Sequence, residues 1–318
     1  MMVGYDNRVS GRWPRLDFGD LHGRTAVVTG ANSGLGFATS LALAAHGASV
    51  VLACRNADRA ATARAEILAQ LPHSDLQLAM LDLADLASVR RFARSYADKR
   101  IDLLVNNAGV MAIPHALTAD GFEMQFGTNH LGHFALTGLL LPALLRRPGS
   151  RVVTISSSVH AAGRINFDDL QHERRYRKWG SYAGAKLANM LFAFELDRRA
   201  KSARRPLVSV AAHPGFVATN LQGAGFRMEG KALVAEAVDV ACRVLAQSTD
   251  AGACSTLYAA TAPGLHGGEF IGPRLVLWGH PARAWCTPAA RDERAARRLW
   301  ELSEQLTGVT FDALGPCT

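Results

Sequence analysis

Short apolar runs of strand length alternate with segments of helix length from residue 25 to residue 212, and this alternation constrains the fold more than any other feature of the chain. The runs fall at 25–29, 49–53, 76–81, 101–105, 151–155 and 207–212. The stretch leading to Ala45, then 57–70 and 86–97, carry helix-type patterns between them. Strands that alternate with helices pair in parallel through right-handed crossovers, which predicts an α/β fold with a doubly wound parallel sheet. Ligands of such a sheet belong at the carboxyl ends of its strands.

The first run meets Gly30-Ala-Asn-Ser-Gly34-Leu-Gly36 and then an apolar helical pattern. A glycine turn there lets backbone approach a pyrophosphate, and the free N–H groups of the next helix attract its charge. The spacing is Gly-x3-Gly-x-Gly, which differs from the Gly-x-Gly-x-x-Gly dinucleotide fingerprint. A tight turn that needs glycine only for geometry is the plainer reading, but the strand before and the helix after favour cofactor binding.

Tyr182 and Lys186 stand four apart in Tyr-Ala-Gly-Ala-Lys, with Ser157 upstream in Thr-Ile-Ser-Ser-Ser. Residues four apart share a helix face, so the Lys186 ammonium would lie near the Tyr182 phenol and favour its ionised form. A phenol that titrates near ~10 would then serve as acid or base near neutrality. The spacing by itself is common on helix surfaces, and its weight comes from its neighbours.

Thr29-Gly-Ala-Asn-Ser-Gly-Leu-Gly36, Asn106-Asn-Ala-Gly109, Asn129, Ser157, Tyr182-x3-Lys186 and His213-Pro-Gly215 resemble, in this order and at these intervals, the short-chain dehydrogenase/reductases. The resemblance covers residues 20–270. Ala53-Cys-Arg-Asn56, Tyr182-Ala-Gly-Ala-Lys-Leu-Ala-Asn-Met190 and Gly268-Glu-Phe-Ile-Gly272 look most like the branch of retinol dehydrogenases and related oxidoreductases. The resemblance implies a Rossmann-type fold and a catalytic set of Asn129, Ser157, Tyr182 and Lys186. Tyr182 would be the general acid or base, Ser157 the second donor to the substrate oxygen, and Lys186 would lower the phenol pKa and bind the nicotinamide ribose. Asn129 would hold a relay water, although a helix-interior Asn that bends the backbone is its other reading. The family comparison selects the middle serine of Ser156-Ser157-Ser158.

The same resemblance implies cofactor contacts at Gly30, Asn32, Ser33, Gly34, Leu35 and Gly36. It places Asp82 and Leu83 at the adenine edge, and Asn106, Ala108 and Gly109 near the adenosine ribose. Pro214, Gly215, Val217 and Thr219 would meet the nicotinamide carboxamide, with His213 structural. Cofactor choice turns on the end of the second strand, where an acid would accept from the ribose. The chain has Cys54-Arg55-Asn56 there, and the Arg55 guanidinium suits a 2′-phosphate, so NADP(H) is favoured. Asp58 lies near enough to keep NAD(H) open.

At 318 residues, 49% hydrophobic and 19% charged, the chain can bury a sizeable single core. We expect an N-terminal extension (1–20), a catalytic domain (21–275) and a C-terminal extension (276–318) that packs on that domain. The first twenty residues carry Asp6, Arg8, Arg12 and Arg15 with no apolar segment, which reads as neither signal peptide nor anchor and favours a cytoplasmic protein. Five cysteines, at 54, 242, 254, 286 and 317, form no Cys-x-x-Cys pair and argue for reduced thiols. His130 and His133 have no evident third ligand and read as packing residues, so no metal is expected.

The net charge of +8 gathers at 174–178, 198–205 and 291–298 without aromatic nucleic-acid motifs, so no nucleic-acid partner is expected. The last cluster reads as a solvated helix face. Leu187, Met190, Leu191 and Phe194 recur at helical spacing as a buried stripe that leaves a homo-oligomer interface open. The partner is a small carbonyl or alcohol, and Val110, Met111, Val159, Phe216, Leu221, Phe226 and Met228 predict an apolar rim. A non-catalytic NADP(H)-binding sensor or scaffold is the alternative; its signature, a damaged Tyr or Lys beside an intact glycine turn, is absent. A polyanion binder rests on charge alone.

Overall fold

The computed structural model describes residues 19–217, 227–231, 236 and 246–315. Strands β1 (Thr25–Thr29), β2 (Ser49–Cys54), β3 (Leu76–Met80), β4 (Leu103–Asn106), β5 (Ser150–Ile155), β6 (Leu207–Ala212), β7 (Phe270–Pro273) and β8 (Pro281–Arg283) form one sheet. Its order is β3-β2-β1-β4-β5-β6-β7-β8, parallel throughout except for the antiparallel β7–β8 hairpin. Registers such as Val27 beside Val51 and Val105 beside Val153 bring the strand ends into line. β1, β2, β4 and β5 are buried almost end to end because helices cover both faces. Edge strand β3 instead leaves Leu78 and Met80 exposed.

The helices are α1 (Gly34–Ala45), α2 (Ala57–Gln70), α3 (Leu86–Arg94), α4 (Gly132–Leu144), α5 (Lys178–Ser202), α6 (Thr249–Thr261) and α7 (Glu293–Thr307). Side-chain caps start several of them: Asn56 accepts from Arg59 N–H, Asp85 from Ala87, and Asp292 from Arg294 and Ala295. Gly308 ends α7 in the left-handed region at φ +60°. Alternate residues of one strand feed opposite cores. Ala26 and Val28 pack with Leu41, Ile67 and Leu257 of α1, α2 and α6, whereas Val27 packs with Phe134 and Phe192 of α4 and α5.

That second core also holds Trp300, Val309, Phe311 and Leu314. The Trp300 ring centroid lies 4.4 Å from Phe311 and 5.1 Å from Phe134. Residues beyond 275 therefore belong to the fold itself. The boundary expected at 275 falls inside the β7–β8 hairpin, so it separates no units.

Boundaries shift elsewhere for local reasons. β4 starts at Leu103 because Asp102 turns its carboxylate to Thr25 N–H at 2.8 Å, with Arg24, Arg100 and Arg147 as salt-bridge partners. β3 stops at Met80 and α3 at Arg94, each short of its expected end. The stripe Leu187, Met190, Leu191 and Phe194 is buried as expected, but Phe270, Ala290, Ala296 and Leu299 of the same chain cover it. An oligomer interface on that face is thereby corrected: the C-terminal segment already occupies it. Nor is the 291–298 cluster simply a solvated face, since Arg291 stacks on Phe194 and Arg298 on Phe167. Among the described residues, no helix is long and apolar enough to cross a membrane.

Candidate active site

A cleft of about 570 Å³ opens at the carboxyl ends of the strands. Gly30, Asn32, Ser33, Gly34, Leu35, Gly36, Arg55, Asp82, Leu83, Ala108, Gly109, Ser157, Tyr182, Lys186, Pro214, Gly215 and Val217 line it. Thr219, Leu221 and Phe226 lie outside the described residues. Of the expected rim, Val110, Met111, Val159 and Phe216 reach the cleft, whereas Met228 is exposed and does not line it.

The glycine turn fits a pyrophosphate. Gly30 and Gly34 hold φ of +65° and +54°, which other residues adopt poorly. A Cβ on Gly36 would sit 2.3 Å from the Gly30 carbonyl oxygen and 2.6 Å from Asn107 Nδ2. Ser33, at the N-cap of α1, makes no side-chain capping bond, so the first-turn N–H groups face the cleft ready for an anion. Arg55, just beyond β2, and Arg59, in the first turn of α2, both line the cleft on the side where a 2′-phosphate would lie. Asp58 is not part of the lining. Asp82 Oδ1 accepts from Ala84 N–H at 3.0 Å and steadies the turn beneath the adenine position.

Asn106 is a correction. Its side chain turns to α4 and donates to Thr137 Oγ1 at 3.0 Å, so Asn107 faces the cleft in its place. The cause is strand alternation: successive side chains at the end of β4 point to opposite faces. Asn107 Nδ2 donates to the Thr29 carbonyl at 2.8 Å, which ties the glycine turn to the neighbouring strand. Arg59, Thr128, Trp179 and Leu277 also line the cleft without having been singled out. Arg59 was within reach of sequence reasoning, since the first turn of the helix that follows Arg55 carries it. Leu277 gave no signal; the hairpin brings it in, and its carbonyl accepts from Phe216 N–H at 3.1 Å.

At the far end of the cleft, β5 supplies Ser157 and α5 supplies Tyr182 and Lys186. The first of the three serines is consumed by the fold: Ser156 Oγ donates to the Lys186 carbonyl at 2.8 Å. Ser157 begins a 3-10 turn, its hydroxyl accepting from Val159 N–H at 3.3 Å, and it lines the cleft together with Tyr182. All three serines line the cleft, Ser156 with its hydroxyl already taken up by the helix. Trp179 meets the Tyr182 ring edge to face at 6.3 Å.

The electrostatics differ from the expectation. Burial pushes the Tyr182 phenol up to about 12, opposed by the Ser157 hydroxyl, and burial pulls the Lys186 ammonium down to about 8. Lys186 Nζ lies 5.7 Å from the Tyr182 ring centroid and is engaged with the Ile155 carbonyl at 3.0 Å. Lost hydration of the phenolate outweighs the attraction of a charge held that far off.

Asn129 lies in the π-helical segment Gly127–Leu131 ahead of α4. Its side chain clasps one residue from both sides: Oδ1 accepts from Val110 N–H at 2.8 Å, and Nδ2 donates to the Val110 carbonyl at 2.9 Å. It does not line the cleft. His130 Nε2 pairs with Ser303 Oγ at 2.9 Å and His133 Nε2 with Thr29 Oγ1 at 2.9 Å. Burial, above all, drives these imidazoles down to about 3 and about 4. Among the described residues no group of three His, Cys, Asp or Glu side chains could hold a metal ion. His213 is buried, receives Gly215 N–H at Nδ1 at 3.3 Å, and is pulled down to about 4 by burial.

A doubly wound sheet with a glycine turn on its first strand and a Ser–Tyr–Lys set on the fifth strand and following helix defines a dinucleotide-dependent oxidoreductase. Residues 24–230 match the short chain dehydrogenase family, and the chain belongs to it. Within that family it is similar to Retinol dehydrogenase 14 of Homo sapiens, with 39% identity over 308 residues that cover 92% of this chain and 89% of that protein. Retinol dehydrogenase 13 of Homo sapiens is 40% identical over 294 residues, covering 90% and 85%. A crystal structure of an uncharacterized protein from Mycobacterium Paratuberculosis aligns with TM-score 0.77 and 43% identity over 93% of this chain and 97% of that one. A protein from Beutenbergia cavernae described as a putative NAD(P) dependent gluconate 5-dehydrogenase, with NADP bound at low occupancy, aligns with TM-score 0.60 and 27% identity over 80% of this chain and 96% of that one.

Proposed function

We propose that the chain is an NADP(H)-dependent oxidoreductase that interconverts a lipophilic carbonyl compound and its alcohol, with Tyr182 as general acid and base. One observation carries this reading: a single cleft runs from Arg55 and Arg59 to Ser157, Tyr182 and Lys186. The NADP bound by the Beutenbergia cavernae protein and the names of the retinol dehydrogenases support it.

NADPH, when bound, supplies a hydride to the carbonyl carbon. The first-turn N–H groups of α1 would hold its pyrophosphate and the two arginines its 2′-phosphate. Ser157 and Tyr182 donate hydrogen bonds to the substrate oxygen, where negative charge develops. The Tyr182 proton then passes to that oxygen, and the Lys186 ammonium, charged at neutral pH, faces the resulting phenolate. A phenol held at about 12 is protonated at neutral pH, as proton donation to a carbonyl requires; oxidation needs the phenolate and gains from alkali. For Asn129 the geometry supports holding Val110 and Gly109 in place: a Cβ on Gly109 would lie 2.8 Å from Asn129 Oδ1. Val110, Met111, Val159, Trp179, Phe216 and Leu277 make the substrate end apolar.

The test is NADPH oxidation, followed by absorbance, against aldehydes, ketosteroids, quinones and retinal. Turnover that disappears in Tyr182→Phe supports the reading, and absence of NADPH binding in a titration would overturn it.

A further inference from the structure

Glu123 is fully buried, yet among the described residues it has no Lys, Arg or His salt-bridge partner. A buried carboxylate is costly unless donors replace its water. Its donors come from two separate elements. Oε1 accepts from Gln125 N–H at 2.9 Å and Oε2 from Phe126 N–H at 2.8 Å, in the turn Met124–Phe126 that leads straight into the Asn129 segment. Oε2 also accepts from Ser181 Oγ at 2.7 Å, and Ser181 is the residue before Tyr182 on α5. The next side chain but one reinforces the tie. Gln125 accepts from Ala112 N–H at 2.7 Å and donates to the carbonyl of Lys178, the first residue of α5, at 2.9 Å.

We propose that Glu123 is a positioning residue for Tyr182, acting through the Ser181 hydroxyl, and that this carboxylate locks the start of α5 to the segment bearing Asn129. The inference rests on the reading of Tyr182 as the proton donor. Neither Glu123 nor Ser181 lines the cleft, so neither meets substrate or cofactor. The bond is 2.7 Å long and lies out of water, the setting in which a hydrogen bond fixes geometry most firmly. Removing the Ser181 hydroxyl takes one donor from the carboxylate and frees the helix turn that carries the phenol.

The experiment uses the full chain with tyrosines 13C-labelled at Cζ, saturated with NADPH, and the Tyr182 resonance assigned by Tyr182→Phe. Ser181→Ala and Glu123→Gln should each shift the Tyr182 resonance and lower kcat about tenfold. NADPH affinity should change less than about twofold, the pair sharing one interaction and no cofactor contact. The double variant should lose no more than Glu123→Gln alone, because Ser181 acts only through that carboxylate. A Tyr182 resonance left in place by both substitutions, or fully additive losses in kcat, overturns the proposal. If Tyr182→Phe keeps its turnover while the resonance still moves in Ser181→Ala, the acid–base reading falls and the positioning contact stands. Thermal unfolding of each variant identifies one that merely fails to fold, and Ser181→Cys, which keeps the side-chain size with a weaker donor, then supplies the second probe.

Discussion

The Lys186 ammonium and the Ile155 carbonyl are joined by a 3.0 Å hydrogen bond, which fixes α5 to the last residue of β5. Asn189, three residues further along α5, donates to the same carbonyl at 3.0 Å. One backbone oxygen thus sets the height of α5 above the strand that delivers Ser157. Lys186 is held by the fold before any ligand contact is considered, and its charge stands near the phenol without bonding it.

Tyr182→Phe removes only the phenolic oxygen from a buried ring. Turnover should fall by roughly two to four orders of magnitude, the usual range for losing a positioned proton donor. NADPH affinity, read by fluorescence titration, should remain near that of the parent protein.

Alcohol oxidation should accelerate with pH and carbonyl reduction should not. Burial raises the Tyr182 phenol to about 12, so the base form needed for oxidation is scarce at neutrality and grows through the alkaline range. Initial rates in both directions across the alkaline range check this, and an oxidation rate that falls steadily with pH would contradict it.

Arg55→Ser and Arg59→Ser should each weaken NADPH about tenfold while leaving NADH little changed, since each guanidinium would meet only the 2′-phosphate. The ratio of the two dissociation constants, measured on the same preparations, isolates that effect from any general loss of binding.

Gly36→Ala should abolish cofactor binding and lower thermal stability. The new Cβ would lie 2.3 Å from a backbone oxygen, a contact that only movement of the glycine turn can relieve. Calorimetry and an NADPH titration report the two losses separately.

Acid should destabilise the protein through its buried imidazoles. Burial places His130, His133 and His213 at about 3, about 4 and about 4, below their unfolded value of 6.5. The unfolded chain therefore binds these protons first. Stability is complete above about pH 6.5 and is lost as pH falls toward 4, by up to ~1.4 kcal/mol per unit for each group. Urea unfolding at several pH values tests the slope, and His133→Asn should reduce it.

Much of the architecture was legible because it is local. The six central strands declare themselves as apolar runs, and the glycine turn sits between a strand and a helix that each follow from pattern. β7 and β8 were not read, since Phe270–Pro273 holds only four residues, two of them Gly272 and Pro273, and its register comes from β6 rather than from its own sequence. Ser157, Tyr182 and Lys186 were placed by motif order. The Asn106 assignment missed by one residue because a motif fixes position along a strand but not which face a side chain takes. The phenol's pKa was misjudged because helical spacing counts the neighbouring charge and not the water removed around it.

Val27 of the first strand shares a core with Trp300, Val309, Phe311 and Leu314 near the other end of the chain. During synthesis α4 and α5 can cover that face of the sheet, but the Trp300 and Phe311 layer of the same core arrives only when almost the whole polypeptide has left the ribosome. Folding can begin early but cannot finish early, so a chaperone that shields apolar strands should matter most to this protein in its final moments of translation.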